Sequence, residues 1–589
     1  MPSSTSVEQR LTRLEEKINA LLSPQREGSV RSNEAAESPF EVIEDYQGDT
    51  TFEAPLSALN ANLDSMKAQL GLQDWTPDRT PGTIRRVRVG SQFLPFPSTS
   101  DYQNYIDFFF EDINPCHSCV NESDFKQKNH NLARGAFARS DDICFLALNY
   151  IIFACADILR NVDPVHELTS APCPGWKWFL ASDALLRKRK LSGKADLCLI
   201  QFLIYEAFYL VHADRSSAAY SAIGIACRLC FQMGLHDEPR WGKDHNPYTA
   251  HMRQRVFWTV YFVDRRISLS CGRPYGMRDS DIRVDKPAWL CDKMLNPSSP
   301  LPEPDPEMSA IMYLVCMISF GNLAGVVWDT MFSASVDGPC SEAIALVDAK
   351  IRHWTDTTLP TIPLLPRHTS PTRRHLRQQL LVNTRISHLR LLLHRREMVS
   401  LKYSASTGLL CGTLATDIVE QIKTHSHEIS EPSSFRFHLA TTVGGAILIL
   451  ATLLCRDLSE IGLESHNTEY AESFHAAVAM LRELSQVLRA ARRILDDLES
   501  VLTSVRSILL RPATSPQNGA ANFTPSAFDN VFTYSNPGLA HQDHFAENIG
   551  SQEIAGGGIA SFNYDTFASL DSWDAYFQQP SSEYGVPWI

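Results

Sequence analysis

The stretch Arg253–Val284, RQRVFWTVYFVDRRISLSCGRPYGMRDSDIRV, constrains the fold more than any other part of this chain. Val256, Phe257, Val260, Tyr261, Val263 and Ile267 recur at three-and-four spacing, which sets one face of a helix against a core. Arg253, Arg255, Asp264, Arg265 and Arg266 interrupt that pattern, and some of them are near enough to pair along or between helices. Gly272 then suits a left-handed cap and Pro274 cannot continue a helix, so the segment reads as a helix followed by a stop.

The same grammar runs from about Ser100 to Leu510, helix after helix with no alternating strand pattern, and the fold class is all-α. Gln201–Val211 (QFLIYEAFYLV) is apolar nearly all round and belongs at the centre, whereas Phe474–Leu510 mixes Leu, Val and Ala with Arg, Glu and Asp as an amphipathic helix pair does. Breaks fall at Pro287, Pro297–Pro306 and Pro360–Pro371. The uncharged runs Ser309–Trp328 and Leu439–Cys455 are interrupted by Ser, Thr, Asn and Gly, and they read as buried core helices rather than membrane spans.

Four blocks resemble the fungal-specific transcription factor regulatory domain, the helical middle region of zinc binuclear cluster regulators. The first is Phe257-Trp258, Tyr261, Asp264-Arg265 and Gly272-Arg273-Pro274, with the acidic Asp279-Ser280-Asp281-Ile282 tail. Tyr105–Phe125 is similar to that family's opening helix and its Asn-Pro turn, and Ser217–Pro239 to its glycine-interrupted helix ending in Gly-Leu-His. Leu389–Arg396 (LRLLLHRR) resembles a late Leu-Leu-His-Arg helix, with Arg396 and Glu397 in place of the usual Pro-aromatic pair. The resemblance covers roughly residues 100–510. It implies a large helical regulatory domain flanked by a disordered linker and tail, a nuclear location and a role in transcription, often of one metabolic pathway or biosynthetic cluster.

Residues 7–22 read as a short coiled coil: Val7, Leu11, Leu14, Ile18 and Leu21 form an a/d seam for dimerisation, about two heptads long. Residues 23–99, rich in Ser, Pro, Gly and acids, read as disordered linker. Residues 511–589 read as a disordered activation region. From Pro512 onward the tail has no Lys or Arg and eight acids, interleaved with aromatics that include Phe562, Tyr564, Phe567, Trp573, Tyr576 and Phe577. Acids beside aromatics keep hydrophobes solvated and available to a partner groove, here a coactivator or the transcription machinery.

The net charge of −13 and pI near 5.8 argue against nucleic-acid binding by surface charge alone. A binuclear cluster needs six cysteines, and the C-x2-C pairs Cys116/Cys119 and Cys227/Cys230 lack a third cysteine nearby, so no metal or cofactor is expected. Zinc enters only if a cluster lies upstream of Met1. The fourteen cysteines sit mostly in apolar runs and read as reduced, core-packing thiols. Arg85, Arg86 and Arg88, and the run Arg187, Lys188, Arg189 and Lys190, could contact phosphates; such a run is as readily a nuclear import signal, and most often a solvated helix end.

No G-x-S-x-G, H-E-x-x-H, P-loop or G-x-G-x-x-G signature is present, so catalysis is not expected, and His236 after Gly-Leu is expected to bond its own helix terminus. The reading is a pathway-specific transcriptional activator that pairs as a homodimer and reaches DNA directly or through a partner factor. The resemblance also allows a small-molecule effector. The alternatives are a truncated zinc cluster factor and a small-molecule-binding or scaffold protein without direct DNA contact.

Overall fold

The periodic segments close into fifteen α-helices among the described residues of a computed structural model, which describes 40–44, 85–89, 92–133, 142–161, 173–191, 195–242, 246–306, 309, 311–333, 340–366, 368, 370–425, 431–456 and 458–509. Helix starts follow local chemistry. Ser98 accepts from the amide of Asp101 at 3.1 Å to begin α1 (Thr99–Phe108), and Asp196 accepts from Leu199 at 2.7 Å to begin α5 (Leu197–His212).

The chain adds helices in order against one core. After α2 (Glu122–Ala133), α3 (Asp142–Arg160) packs on α4 (Trp176–Leu191) and on α5. In α5 every residue from Leu199 to His212 is buried, which places Gln201–Val211 at the centre, as its all-round apolarity requires. Then α6 (Ser216–Gln232) covers α5, α7 (Pro247–Cys271) covers α6, and α8 (Met312–Met331) lies on α7. The second half begins with α9 (Ser341–His353) and α10 (Arg373–Val399), which packs on α8, α11 (Ala405–Thr424) and α12 (Arg436–Cys455). One large hydrophobic core runs from Val87 to Val505, with a small separate cluster of Tyr248, Met252, Leu290 and Leu295 beside it.

Among the described residues three helices, in α3, α8 and α12, are long and apolar enough to cross a membrane by length and composition. Each is instead mostly enclosed by its neighbours, α12 at 89% of its apolar window, so its side chains are core.

One expectation is corrected, and one segment holds strands besides. The stretch after Phe474 forms three helices rather than a pair: α13 (Asn467–Ser485), α14 (Arg489–Asp497) and α15 (Glu499–Leu509). Leu488 takes an extended backbone (φ −140°, ψ 120°), and this turn lets α14 reach both α12 and α13. The stretch read as linker contains strands β1 (Phe40–Glu44), β2 (Arg85–Val89) and β3 (Gln92–Phe96), antiparallel in that order. β3 docks on α3: Phe96 meets Phe153 edge-on at 5.5 Å, and Tyr150 donates to the Pro95 carbonyl at 2.8 Å.

Close helix approach depends on specific glycines. Gly175, which precedes α4, has φ +79°, and a Cβ there would lie 2.5 Å from the Ala154 carbonyl oxygen. Gly175→Ala is therefore expected to lower the unfolding free energy by about 2–4 kcal/mol, combining left-handed strain with a backbone clash. Gly224, mid-helix in α6, has nothing within 4 Å of such a Cβ. Gly224→Ala is expected to raise stability by about 0.5–1 kcal/mol, and urea unfolding of both variants checks the contrast.

Candidate functional site

The chain between α1 and α2 is buried although it is not regular helix. A π-helical turn (Phe109–Ile113) runs into a 3-10 turn (Asn114–Cys116), and Asn114 to Val120 are all buried. Buried carbonyls need donors, and these come from distant helices. From α5, Tyr205 Oη donates to the His117 carbonyl at 3.0 Å and Gln201 Nε2 to that of Cys119 at 2.6 Å. From α10, Gln378 Nε2 donates to the Pro115 carbonyl at 3.1 Å. Within the turn, Asn114 Nδ2 donates to the Val120 carbonyl at 3.0 Å, and Asn114 Oδ1 shares the one Tyr205 hydroxyl hydrogen with the His117 carbonyl, at 2.9 Å.

The signature helix α7 supplies the remaining contact. Arg255, fully buried, donates from Nε to the Ser118 carbonyl at 2.6 Å and grips Asp292 with both terminal nitrogens at 2.7 and 3.0 Å. One turn beyond Tyr261, buried Asp264 accepts from the amides of Gly276 (2.8 Å) and Met277 (3.2 Å), fixing the chain that follows the helix stop. Burial pushes the Asp264 carboxyl up, against the pull of those amides and of Arg265. Arg265 donates to the Met277 carbonyl at 2.5 Å, faces Asp279 at 3.3 Å and lies 3.4 Å over the Tyr275 ring. Helix α7 ends as its sequence requires, with Gly272 at φ 63°.

His236, Asp237 and Glu238 act as structural ties. Asp237 accepts from Arg283 at 2.7 Å and Arg240 at 2.9 Å, and Glu238 accepts from Gln254 and from the Asp285 amide, both at 2.8 Å. The His236 ring does not bond its helix terminus as expected; it meets Phe231 edge-on at 5.0 Å, and Trp241 Nε1 instead donates to the Gly234 carbonyl at 2.9 Å. Cys116 and Cys119 sit in the buried turn, where burial pushes both thiols up to about 12, and Cys227 and Cys230 are buried in α6 with thiols raised for the same reason. Thiols held protonated are poor metal ligands. Among the described residues no cluster of three or more His, Cys, Asp or Glu could hold a metal.

Two clefts open near these elements. One, about 1330 Å³ and wide open, lies beside the signature loop and carries Arg228, Arg240, Arg278 and Arg283 against Asp237, Asp279, Asp281 and Asp329. The other, about 360 Å³, lies where the π turn meets the start of α10.

Of the residues marked by the sequence, Arg187, Lys188, Arg189 and Lys190 fall at the end of α4, and Arg85, Arg86 and Arg88 on β2. The seam Val7, Leu11, Leu14, Ile18 and Leu21 lies outside the described residues, as do Phe562, Tyr564, Phe567, Trp573, Tyr576 and Phe577. Sequence reasoning singled out Arg255 and Asp264 but missed Asp292, Gln378 and Asp112, whose partners are remote in the chain.

The site is thus an all-helical scaffold in which Arg255 of the signature helix holds the buried turn while Asp264 and Arg265 hold the loop that follows it. Residues 106–309, which contain both turn and signature, match the fungal specific transcription factor domain. The chain is 25% identical over 336 residues to an ABC-transporter-regulating transcription factor of Aspergillus oryzae, covering 55% of this chain and 35% of the relative. It is 21% identical over 392 residues to the fusarisetin A cluster transcription factor of a Fusarium species (64% of this chain, 50% of the relative). It is 23% identical over 226 residues to activator of stress genes 1 of Saccharomyces cerevisiae (38% and 23%). The matched part thus spans at most half the length of these relatives.

Removing Arg255 takes a donor from the buried Ser118 carbonyl and the ion-pair partner from Asp292. Arg255→Leu is expected to cost about 3–5 kcal/mol. Asp292→Asn is expected to cost less, about 1–3 kcal/mol, because Asp292 lies at a partly wetted edge, and denaturant titration ranks the two.

Acid should weaken the domain. Burial pulls the His212 and His388 imidazoles down to about 4 and that of His251 to about 3, and it lowers His117 and His438 well below their usual range, with help from Arg266 or Arg385. Each binds a proton more readily unfolded, near pH 6.5, than folded, so its contribution is complete above that pH. The contribution falls toward pH 4 at up to about 1.4 kcal/mol per pH unit per histidine. Asp112 and Asp264, whose carboxyls burial pushes up, act in the opposite sense but are outnumbered. The midpoint of thermal unfolding should drop between pH 7 and 5, and His388→Met should make the slope shallower.

Proposed function

We propose that this chain is a nuclear transcriptional regulator, an activator of one pathway or gene cluster. The observation that carries the reading is the match of residues 106–309 to the fungal specific transcription factor domain, joined to relatives that are transcription factors. In this reading the helical domain is the rigid scaffold and the effector is the acidic-aromatic tail, with Phe562, Tyr564, Phe567, Trp573, Tyr576 and Phe577 engaging the transcription machinery or a coactivator. Val7, Leu11, Leu14, Ile18 and Leu21 pair two copies, and Arg187–Lys190 serve import. A six-cysteine zinc module is not among these 589 residues, so DNA contact of that kind comes from outside them, on a partner factor or a longer chain. The composition of the tail supports the activating sign: an interaction surface of this type needs exposed aromatics kept soluble by acids.

The test is a reporter assay of residues 512–589 fused to an unrelated DNA-binding domain. Strong activation is expected, reduced at least about tenfold by joint replacement of Phe567, Trp573 and Phe577 with Ala, and reduced less by neutralising the acids, since hot-spot aromatics dominate such grooves. A wild-type tail that gives no signal would remove the activator reading.

A further inference from the structure

The smaller cleft is formed by the end of α3, the π turn, the first two turns of α10 and the segment leading into α12. Four guanidiniums line it: Arg160 from α3, and Arg373, Arg374 and Arg377 from α10. Two are matched by carboxylates of the fold. Arg377 bonds Asp112 at 2.5 Å, and Arg373 pairs with Glu431. Asp112 also accepts from the Ser434 amide at 2.7 Å, so both of its oxygens are engaged. Among the described residues no carboxylate pairs with Arg160 or Arg374, and Glu111 is the only other acid in the lining. The cleft therefore keeps a positive excess, to which the N-terminus of the 27-residue α10 adds its dipole.

The remaining lining is apolar. Phe108, Pro115, Pro432 and Phe435 face the space, and the Arg377 guanidinium lies 5.3 Å from the centre of the Phe435 ring. A volume of about 360 Å³ is at the lower end of the range used by small molecules. The floor is set by the π turn Phe109–Ile113, a backbone irregularity of the kind frequent at functional positions, which carries Asp112 to Arg377. The larger cleft has no comparable bias, since its four arginines face four aspartates across an open mouth.

We propose that this cleft binds a small organic carboxylate with an apolar, ring-sized body, the carboxylate held by Arg374 and Arg160 and the body between Phe108, Pro432 and Phe435. Inorganic anions would leave the apolar walls unused, and a longer peptide exceeds the volume. The occupant touches α3, α10 and the entry to α12 at once, so binding stabilises their junction by mass action. Binding does not rest on the regulatory reading; only a consequence for transcription does.

The experiment is thermal unfolding of the full chain against a concentration series of phenylacetate, with phenylacetamide and inorganic phosphate as matched probes. Phenylacetate should raise the midpoint saturably, while the neutral amide and phosphate leave it nearly unchanged. R160Q and R374Q, singly and together, should fold with an unaltered unliganded midpoint and weaken the apparent phenylacetate affinity at least about tenfold, with R228Q in the larger cleft as the unaffected control. Absence of a saturable carboxylate-dependent shift, an equal shift in the double variant, or an equal shift with phosphate overturns the proposal. A shift that obeys these rules while reporter output stays unchanged upholds the site and counts only against a regulatory role for it.

Discussion

A length of non-helical chain in the middle of a helical core must have its carbonyls met, and this requirement organises the domain. The turn Asn114–Val120 is buried, so water cannot satisfy it. Tyr205 and Gln201 reach it from α5, Arg255 from α7 and Gln378 from α10. Each of these donors meets a carbonyl that lies away from water, which limits how far its helix can slide or rotate. The turn acts as a template on which helices from both halves are registered.

The signature helix extends that logic to the loop behind it. Asp264 holds the amides of residues 276 and 277, and Arg265 takes the Met277 carbonyl and lies over Tyr275, so the chain after Gly272 is held at both ends of its peptide units. Room for these large side chains comes from α8. A Cβ at Gly321 would lie 2.8 Å from the Tyr261 ring, and one at Gly325 3.2 Å from Arg265 Nε. Aromatic and arginine on one helix, with glycines four apart on the next, make a slot that sets the α7–α8 distance. Burying so much charge in this region secures geometry more than stability, because desolvation offsets much of the Coulombic gain.

What was legible in the sequence was periodic or local. The three-and-four spacing of α7, its left-handed stop at Gly272 and the centrality of α5 all depend on neighbours along the chain, and the structure has them. Pairings between remote residues were not legible: Arg255 with Asp292 lies 37 positions apart, and Arg377 with Asp112 265 apart. An arginine committed to a backbone carbonyl looks the same in sequence as one in water. The β2–β3 pair carried a readable signal, alternating apolar residues around Gly90-Ser91, but Ser- and Pro-rich surroundings masked it. The division of the last helical stretch into three had no such signal, since no Gly or Pro marks the turn at Leu488.

Arg493 of α14 grips Asp214, just past α5, with two bonds of 2.9 and 2.8 Å across 279 positions of chain. The match to the family domain stops at residue 309, yet the same core continues to Val505, and α10 supplies donors and ion-pair partners to residues 112 and 115. The edge of that match is therefore not an edge of the core. A fragment cut at 309 would keep the signature and the donors Gln201, Tyr205 and Arg255, but it would lose Gln378, Arg377 and the half of the core that continues to Val505.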